Sequence, residues 1–319
     1  MDYVLLVIGF VILIKGADFL VSGASSIAKK FGISSLVIGL TIVAFGTSAP
    51  ELFVNILSAM KGQTDLALGN VIGSNIANTL LILGAAATVY PVTAKFSTIY
   101  KEIPFTILAS LALLFLTYDT FFSGADVNMI TRGESLVLLL FFVIFFVYTF
   151  GIAKNTDVSE EIVQEMSLGK SILFISGGLL GLALGADFLI GAAKNIASNF
   201  GVPESVIGLT IVAFGTSLPE LATSVIAAMR KNSDIAIGNV VGSNIFNILL
   251  VLGATGVVSN ITVSDTIIID ILVELVAISL LVFFLLFIGK KAVLWRFSGI
   301  FFLCLYFLYI AYLVVTQVL

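Results

Sequence analysis

The chain has 319 residues, of which 60% are apolar and 11% are charged, and its formal net charge is −4. A soluble globular domain has roughly 45–50% apolar and about 25% charged residues, so this composition excludes a water-soluble fold and indicates a chain embedded in lipid. Histidine is absent, which removes the usual proton shuttle and transition-metal ligand, and the single cysteine, Cys304, excludes an intrachain disulfide.

Long apolar runs predict an all-α polytopic membrane protein with ten transmembrane helices. About 20 apolar residues cross a bilayer, and the chain is long enough for ten such runs joined by short loops. The first run has no basic leader and no obvious cleavage site, so we expect it to be a retained span. The predicted spans are 3–28, 34–60, 66–90, 101–119, 133–153, 170–197, 203–229, 235–259, 266–289 and 296–318.

The two halves of the chain are copies of each other. Residues 16–89 align with 185–258 without a gap at a constant offset of 169, with 43 identities in 74 positions. Because five spans is an odd number, the second copy must enter the membrane from the opposite side, which predicts two inverted five-helix repeats. We place the halves at 1–153 and 170–319, with an acidic, solvated linker at 154–169 between them.

The distribution of basic residues predicts the orientation in the membrane. With both termini outside, 11 Lys and Arg residues lie inside and 3 lie outside, which is the bias expected of cytoplasmic loops, and the linker is then cytoplasmic. The inside residues are Lys29, Lys30, Lys95, Lys101, Lys154, Lys170, Arg230, Lys231, Lys290, Lys291 and Arg296; the outside residues are Lys61, Arg132 and Lys194.

The most informative motif is GTSAPE at 46–51, repeated as GTSLPE at 215–220, each in the middle of an apolar span. A proline inside a helix removes one backbone donor and clashes with an earlier carbonyl, so we expect each helix to break here. The break is expected to free backbone carbonyls around the motif, where the chain must line protein or a polar cavity. The residues concerned are Ala44, Thr47 and Ser48 in the first copy and Ala213, Thr216 and Ser217 in the second.

Glu51 and Glu220 lie at these two breaks. A lone carboxylate in mid-bilayer is costly, and two facing carboxylates repel unless they are protonated or bridged by a cation. Calcium accepts 6–8 oxygen ligands in flexible geometry, so a divalent, oxygen-bound cation is the natural bridge. A purely structural role for two repeated glutamates at mid-span prolines is a weak alternative.

A second repeated motif, GSNIAN at 73–78 and GSNIFN at 242–247, supplies neutral oxygen ligands. Ser74 and Asn78 are four residues apart and share a helix face, and Ser243 and Asn247 repeat the pair. The glycines at 69, 73, 238 and 242 favour close helix packing, and for one GSN alone packing would be the simpler interpretation.

Four further acids are expected to lie away from the ions. Asp18 and Asp187 are repeated, and Asp18 follows Lys15 by three residues, which predicts a neutralising pair on one helix face. Asp270 and Glu274 are unrepeated and lie at the start of the ninth span, where we expect them to be interfacial.

At the two repeated motifs the sequence resembles the cation/calcium exchanger superfamily, specifically the prokaryotic sodium/calcium exchangers. The alpha repeats of that family correspond to about 34–90 and 203–259 here. The resemblance implies one calcium site and several sodium sites between the repeats, with the first and sixth helices sliding against a static core. It implies that the ligands are Glu51, Glu220, Thr47, Ser48, Thr216, Ser217, Ser74, Asn78, Ser243, Asn247 and the carbonyls of Ala44 and Ala213.

We therefore expect a sodium/calcium antiporter that is not an enzyme, needs no cofactor beyond the transported Ca²⁺ and Na⁺, and binds no nucleic acid. Asparagine at both Asn78 and Asn247 argues mildly against potassium co-transport, since some family members carry aspartate at the latter position. A proton/calcium exchanger remains the nearest alternative, followed by a passive cation channel and, last, an intramembrane acid hydrolase. We expect a monomer in a prokaryotic plasma membrane.

Overall fold

A computed structural model of the chain describes residues 2–122, 124, 126–152, 165–200 and 213–317. Within these residues, eight helices are long and apolar enough to cross a membrane, and a ninth span is formed if the bent pair Ser35–Thr47 and Ala49–Met60 is counted as one. The predicted span 203–229 is described only from Ala213 onward, and residues 154–164 of the predicted linker lie outside the described residues. The fold is an all-helical polytopic membrane fold.

The first half contains nine helical segments and two short strands. The helices are α1 (Asp2–Phe31), α2 (Ser35–Ile38), α3 (Ala44–Thr47), α4 (Ala49–Met60), α5 (Thr64–Ile76), α6 (Leu83–Val89), α7 (Ile103–Thr117), α8 (Asp119–Phe122) and α9 (Arg132–Ile152). Wider π-helical turns continue these helices at Gly39–Val43, Ala77–Ile82 and Thr98–Glu102. The strands are β1 (Val92–Thr93) and β2 (Met129–Ile130).

The second half repeats this order in its central part, but its described residues show no counterpart of the π-helical turn Thr98–Glu102 or of α8. Its helices are α10 (Leu168–Asn199), α11 (Ala213–Thr216), α12 (Leu218–Met229), α13 (Ser233–Ile245), α14 (Leu252–Val258), α15 (Asp265–Phe287) and α16 (Arg296–Gln317), with a π-helical turn at Phe246–Val251 and strands β3 (Ile261–Thr262) and β4 (Val293–Leu294). From α5 to β1 and from α13 to β3, every boundary is displaced by the same 169 residues as the sequence.

The two central helical runs, α5–α6 and α13–α14, are antiparallel. Lys95, after the first run, forms a 2.6 Å ion pair with Asp234 at the start of the second. At the opposite end, the hydroxyls of Thr64, at the start of the first run, and Thr262, after the second, lie 3.1 Å apart. The start of each run therefore lies beside the end of the other.

The strands join the halves at both ends of these central helices. Strand β1 pairs antiparallel with β4, with Val92 opposite Leu294, and β2 pairs antiparallel with β3, with Met129 opposite Thr262. Each strand that follows a central helix thus pairs with a strand that precedes the last helix of the other half.

The central helices form the core and the outer helices face away from it. In the most apolar stretch of each helix, the buried share of residues is 94% for Ser233–Val258 and 78% for Thr64–Val89. In the outer helix Arg132–Gly151 it is only 22%. Glycines allow the closest approach: a Cβ at Gly238 would lie 2.8 Å from the Leu36 carbonyl oxygen. The predicted role of glycine in packing is confirmed for this second copy, and the matching partners of Gly69 and Gly73 fall largely outside the described residues.

Helices α1 and α10 pack against each other along their length. A Cβ at Gly178 would lie 2.6 Å from the Leu20 amide nitrogen, and one at Gly185 would lie 2.6 Å from the Leu13 amide nitrogen. Glycine at these positions lets the two backbones approach closely, so α1 and α10 form a contact between the two halves with few interlocking side chains.

Candidate functional site

Both predicted helix breaks are present. Ser48 has φ −85° and ψ 3°, Ser217 has φ −87° and ψ 3°, and each separates a short helix from the next one. Proline lies in the first turn of α4 and of α12, where its missing N–H is tolerated. In the first copy the break bends the helix axis by 43°. The GTSxPE motif therefore ends one helix and starts another inside each span.

The expectation that the break frees the Ala44 carbonyl was wrong for this structure. That oxygen accepts the Ser48 N–H at 2.9 Å and the Thr47 hydroxyl at 3.3 Å. The Ser48 carbonyl likewise accepts the Leu52 N–H at 3.1 Å. The short α3 helix closes its own last turn before the chain bends, because a serine at the break still has an N–H to donate. Its counterpart Ala213 is the first described residue of the second copy.

Glu51 and Glu220 are both buried, with exposed fractions of 1% and 2%. Each lies in the first turn of its helix, where the positive end of the helix dipole favours a carboxylate. The Ser48 hydroxyl donates to Glu220 Oε1 at 3.0 Å, the Thr216 hydroxyl hydrogen-bonds Glu51, and Glu51 lies in the electrostatic field of Glu220. The structure thus brings both acids and both breaks together.

Two asparagines that the sequence analysis did not single out support the broken helices. The Thr47 hydroxyl donates to Asn239 Oδ1 at 3.1 Å, and the Thr216 hydroxyl lies 3.5 Å from Asn70 Oδ1. The signal was available, because both asparagines belong to the repeated tripeptide GNV. Ser217 continues the contact between the halves through a 3.3 Å hydrogen bond to the Ser74 hydroxyl.

Asn78 and Asn247 lie in the π-helical turns of the two central runs. Asn78 Nδ2 donates to Asn244 Oδ1 at 2.9 Å, and Asn247 Nδ2 donates to Asn75 Oδ1 at 3.0 Å. The partners Asn75 and Asn244 were also missed, although both belong to the repeated GSN tripeptide. Each pair joins one half to the other, and in each the predicted ligand donates through its NH₂ group, so its oxygen points away from that partner.

Several predicted ligand side chains carry a buried oxygen that has no hydrogen-bond partner among the described residues. A buried acceptor without a donor costs roughly 1–3 kcal/mol, so each such atom requires an explanation. The acceptor atoms are Glu51 Oε2, Glu220 Oε2, Asn78 Oδ1 and Asn247 Oδ1. Carboxylate and amide oxygens without donors are suitable ligands for a hard cation such as Ca²⁺ or Na⁺.

One further acid has a different partner from the predicted one. Asp18 pairs with Arg230 at the end of α12, not with Lys15. That prediction was wrong because spacing along one helix does not tell which charges the neighbouring helices bring closer. Glu274 is fully buried and Asp270 is 8% exposed. Asp270 accepts a 2.9 Å hydrogen bond from the Tyr309 hydroxyl.

The described residues contain no cluster of three or more His, Cys, Asp or Glu side chains that could hold a metal. The candidate site instead combines two acids with neutral oxygens of Ser, Thr and Asn side chains.

Comparisons with known proteins identify the family of the chain. A relative described as sodium/calcium exchanger MaX1, from Methanosarcina acetivorans, is 32% identical over 348 residues, covering 98% of each chain. The inner membrane protein YrbG of Escherichia coli K12 is 34% identical over 265 residues, covering 80% of this chain and 79% of its own. A solved structure of the sodium–calcium exchanger NCX_Mj, soaked with Na⁺ and Sr²⁺, superimposes with a TM-score of 0.83 at 31% identity, covering 97% of both chains. The profile of the family described as sodium/calcium exchanger protein matches residues 1–151 and 170–315. The chain belongs to the sodium/calcium exchanger protein family.

Proposed function

We propose that this protein exchanges sodium for calcium across the membrane, with the ions bound between the two halves at Glu51 and Glu220. The observation that carries the proposal is the set of buried carboxylate and amide oxygens of these glutamates, Asn78 and Asn247 that have no hydrogen-bond partner among the described residues. The remaining ligands are Thr47, Ser48, Ser74, Thr216, Ser217 and Ser243, with the Ala44 and Ala213 carbonyls joining when the breaks rearrange. The names of the relatives support the same pair of cations.

The charge of the site explains why the two ions compete. Two ionised glutamates carry two negative charges, which one Ca²⁺ or two Na⁺ neutralise, and a site that keeps both charges without a cation is strongly disfavoured in a membrane. Na⁺ and Ca²⁺ both accept flexible cages of oxygen, whereas Mg²⁺ demands tighter octahedral geometry. The loaded forms are therefore the ones that cross.

We further propose that the halves are inverted repeats of five spans that give alternating access. The antiparallel central runs, the crossed strand pairs and the glycine-lined contact of α1 with α10 support this arrangement. In this mechanism α1 and α10 slide as a pair against the central helices and open the site to one side at a time.

We propose that the termini lie outside and that the linker 154–169 lies in the cytoplasm. Loops predicted to be inside contact one another: Lys29 lies 3.5 Å from Glu165, and Ser25, near the end of the same helix, accepts from Asn232 at 3.2 Å. Lys95 pairs with Asp234 at that end as well. The functional unit is the single chain, because the two halves build the site between them.

The test is calcium uptake into proteoliposomes loaded with sodium. Wild type should accumulate radioactive Ca²⁺ only when the internal solution contains Na⁺, and Glu51→Gln and Glu220→Gln should each abolish uptake. The matched control is Glu102→Gln, because Glu102 is equally buried but binds the Tyr148 hydroxyl at 2.9 Å instead of the site. This control should transport like wild type.

The same assay separates the alternatives. Uptake driven by a pH gradient without sodium would make the protein a proton/calcium exchanger, and uptake that follows voltage without any counter-ion would make it a channel. Wild-type uptake by both glutamate variants would contradict the proposed site.

A further inference from the structure

Glu274 is a third buried carboxylate, and it belongs to one half only. It lies on α15, is fully buried, and corresponds to Phe105 in the first half. Its Oε1 accepts two hydrogen bonds, from Asn75 Nδ2 at 3.0 Å and from the Ser110 hydroxyl at 2.8 Å. Neither donor is among the predicted ion ligands, so Glu274 is connected to the site only through residues that neighbour those ligands.

The bond from Asn75 determines how the Asn75 amide is oriented. Its NH₂ group donates to Glu274 Oε1, which also accepts from Ser110, and, at 3.4 Å, to the Asn244 backbone carbonyl oxygen. Its carbonyl oxygen must therefore face the other way, where it accepts from Asn247 Nδ2 at 3.0 Å. A flipped Asn75 would set its oxygen against the Glu274 carboxylate and its NH₂ against the NH₂ of Asn247.

The orientation is passed on to the ion site. Because the Asn247 NH₂ is held by Asn75, the Asn247 Oδ1 atom is left buried and has no partner among the described residues. The chain of contacts from Glu274 through Asn75 thus points an oxygen, and not an NH₂ group, away from the network.

The equivalent pair, Asn78 and Asn244, is oriented by a hydroxyl group instead of a carboxyl group. Asn78 donates to Asn244, and Asn244 Nδ2 donates to the Thr79 hydroxyl at 3.0 Å. A hydroxyl can also donate, so it constrains an amide less than a carboxylate does. At the position matching Thr79 the second half has Ile248, which offers no acceptor. Glu274 therefore provides the hydrogen-bond acceptor for Asn75 that Ile248 cannot provide.

We propose that Glu274 is a positioning residue that fixes the Asn247 oxygen toward the transported cations and so sets the affinity of the site for calcium. This inference rests on the proposed exchange function. Among the described residues Glu274 hydrogen-bonds Asn75 and Ser110, neither of which is a predicted ligand, and its effect passes through Asn75.

Two substitutions of similar size distinguish orientation from other roles. Glu274→Leu removes the acceptor, whereas Glu274→Gln keeps a carbonyl oxygen that can face Asn75 and Ser110. In sodium-loaded proteoliposomes, we expect Glu274→Leu to raise the calcium concentration for half-maximal uptake about five- to ten-fold, with the maximal rate within about two-fold of wild type. Glu274→Gln should stay within about two-fold for both quantities, as should the control Glu102→Leu.

A double-substitution cycle tests the path through Asn247. In an Asn247→Ala background, which lacks the oriented oxygen, Glu274→Leu should change the half-maximal concentration by less than about two-fold. An undiminished effect in that background, an unchanged affinity in Glu274→Leu, or an equal loss in Glu274→Gln would each overturn the proposal. Wild-type protein without sodium-dependent uptake would instead refute the exchange function itself, so the two failures are distinguishable.

Discussion

The Ser48 hydroxyl donates a 3.0 Å hydrogen bond to Glu220 Oε1, so the helix break of one half directly holds the acid of the other half. The same break begins the helix that carries Glu51. A movement of the first broken helix therefore changes the surroundings of both carboxylates. This is a structural reason why the two halves form one site.

Ser48→Ala should weaken calcium binding without unfolding the protein. A hydrogen bond to a charged group is worth roughly 1.5–3 kcal/mol, so its removal should raise the half-maximal calcium concentration by about ten-fold or more. The measurement is uptake against calcium concentration in sodium-loaded proteoliposomes. The control is Ser176→Ala, because that exposed serine bonds only the carbonyls of its own helix. Equal affinities for Ser48→Ala and wild type would contradict the role of this bond.

Lys95→Met should destabilise the fold at the end where the central helices meet. The substitution leaves Asp234, which is 8% exposed, without its 2.6 Å cationic partner, and an uncompensated buried charge is costly. The melting temperature of the detergent-solubilised protein should fall by several degrees. Glu165→Gln breaks the more exposed, 3.5 Å pair with Lys29 and should leave that temperature unchanged. A similar fall in melting temperature for both variants would show that the burial of an ion pair does not determine its contribution to stability.

Gly238→Val should also lower the melting temperature. A Cβ at Gly238 would lie 2.8 Å from the Leu36 carbonyl oxygen and 3.0 Å from the Gly39 Cα, and backbone atoms cannot move aside as a flexible side chain can. Gly177→Ala is the control, because no described atom lies within 4 Å of a Cβ there. If the valine variant has the same melting temperature as the wild type, helices α2 and α13 do not pack as closely as they do in the structure.

The Asp18–Arg230 pair should affect turnover more than affinity. The pair ties α1 to the end of α12, so in a mechanism where α1 slides it stabilises one end state. A partly exposed pair contributes roughly 0.2–1 kcal/mol, which predicts a change of up to about five-fold in maximal rate for Arg230→Gln. Lys15→Gln should have no effect, since Asp18 does not pair with Lys15. The exchanged double variant, Asp18→Arg with Arg230→Asp, should recover the wild-type rate; failure to recover would mean that the pair itself is not what matters.

The sequence alone was sufficient for the helical membrane class, the duplication and the two helix breaks. These depend on local chemistry: apolar runs of bilayer length need a lipid environment, and proline at 50 or 219 cannot continue a helix. The sequence also singled out Glu51 and Glu220, because a carboxylate in mid-span is costly, and both are buried in the structure. The site residues that escaped notice, among them Asn70 and Asn239, lie within repeated tripeptides, where composition alone does not distinguish a bridging side chain from a packing one.

Tertiary structure decided which atoms of those residues are available and which acids have partners. The orientation of Asn247 depends on Asn75 and Glu274, which lie 172 and 27 residues away in sequence, so no local pattern could reveal it. Likewise Asp18 has a basic neighbour one turn away, yet its partner is Arg230 on another helix. Local sequence determines where a helix starts and ends, but the direction of a hydrogen bond depends on which donors and acceptors the packed helices bring within about 3 Å of each other.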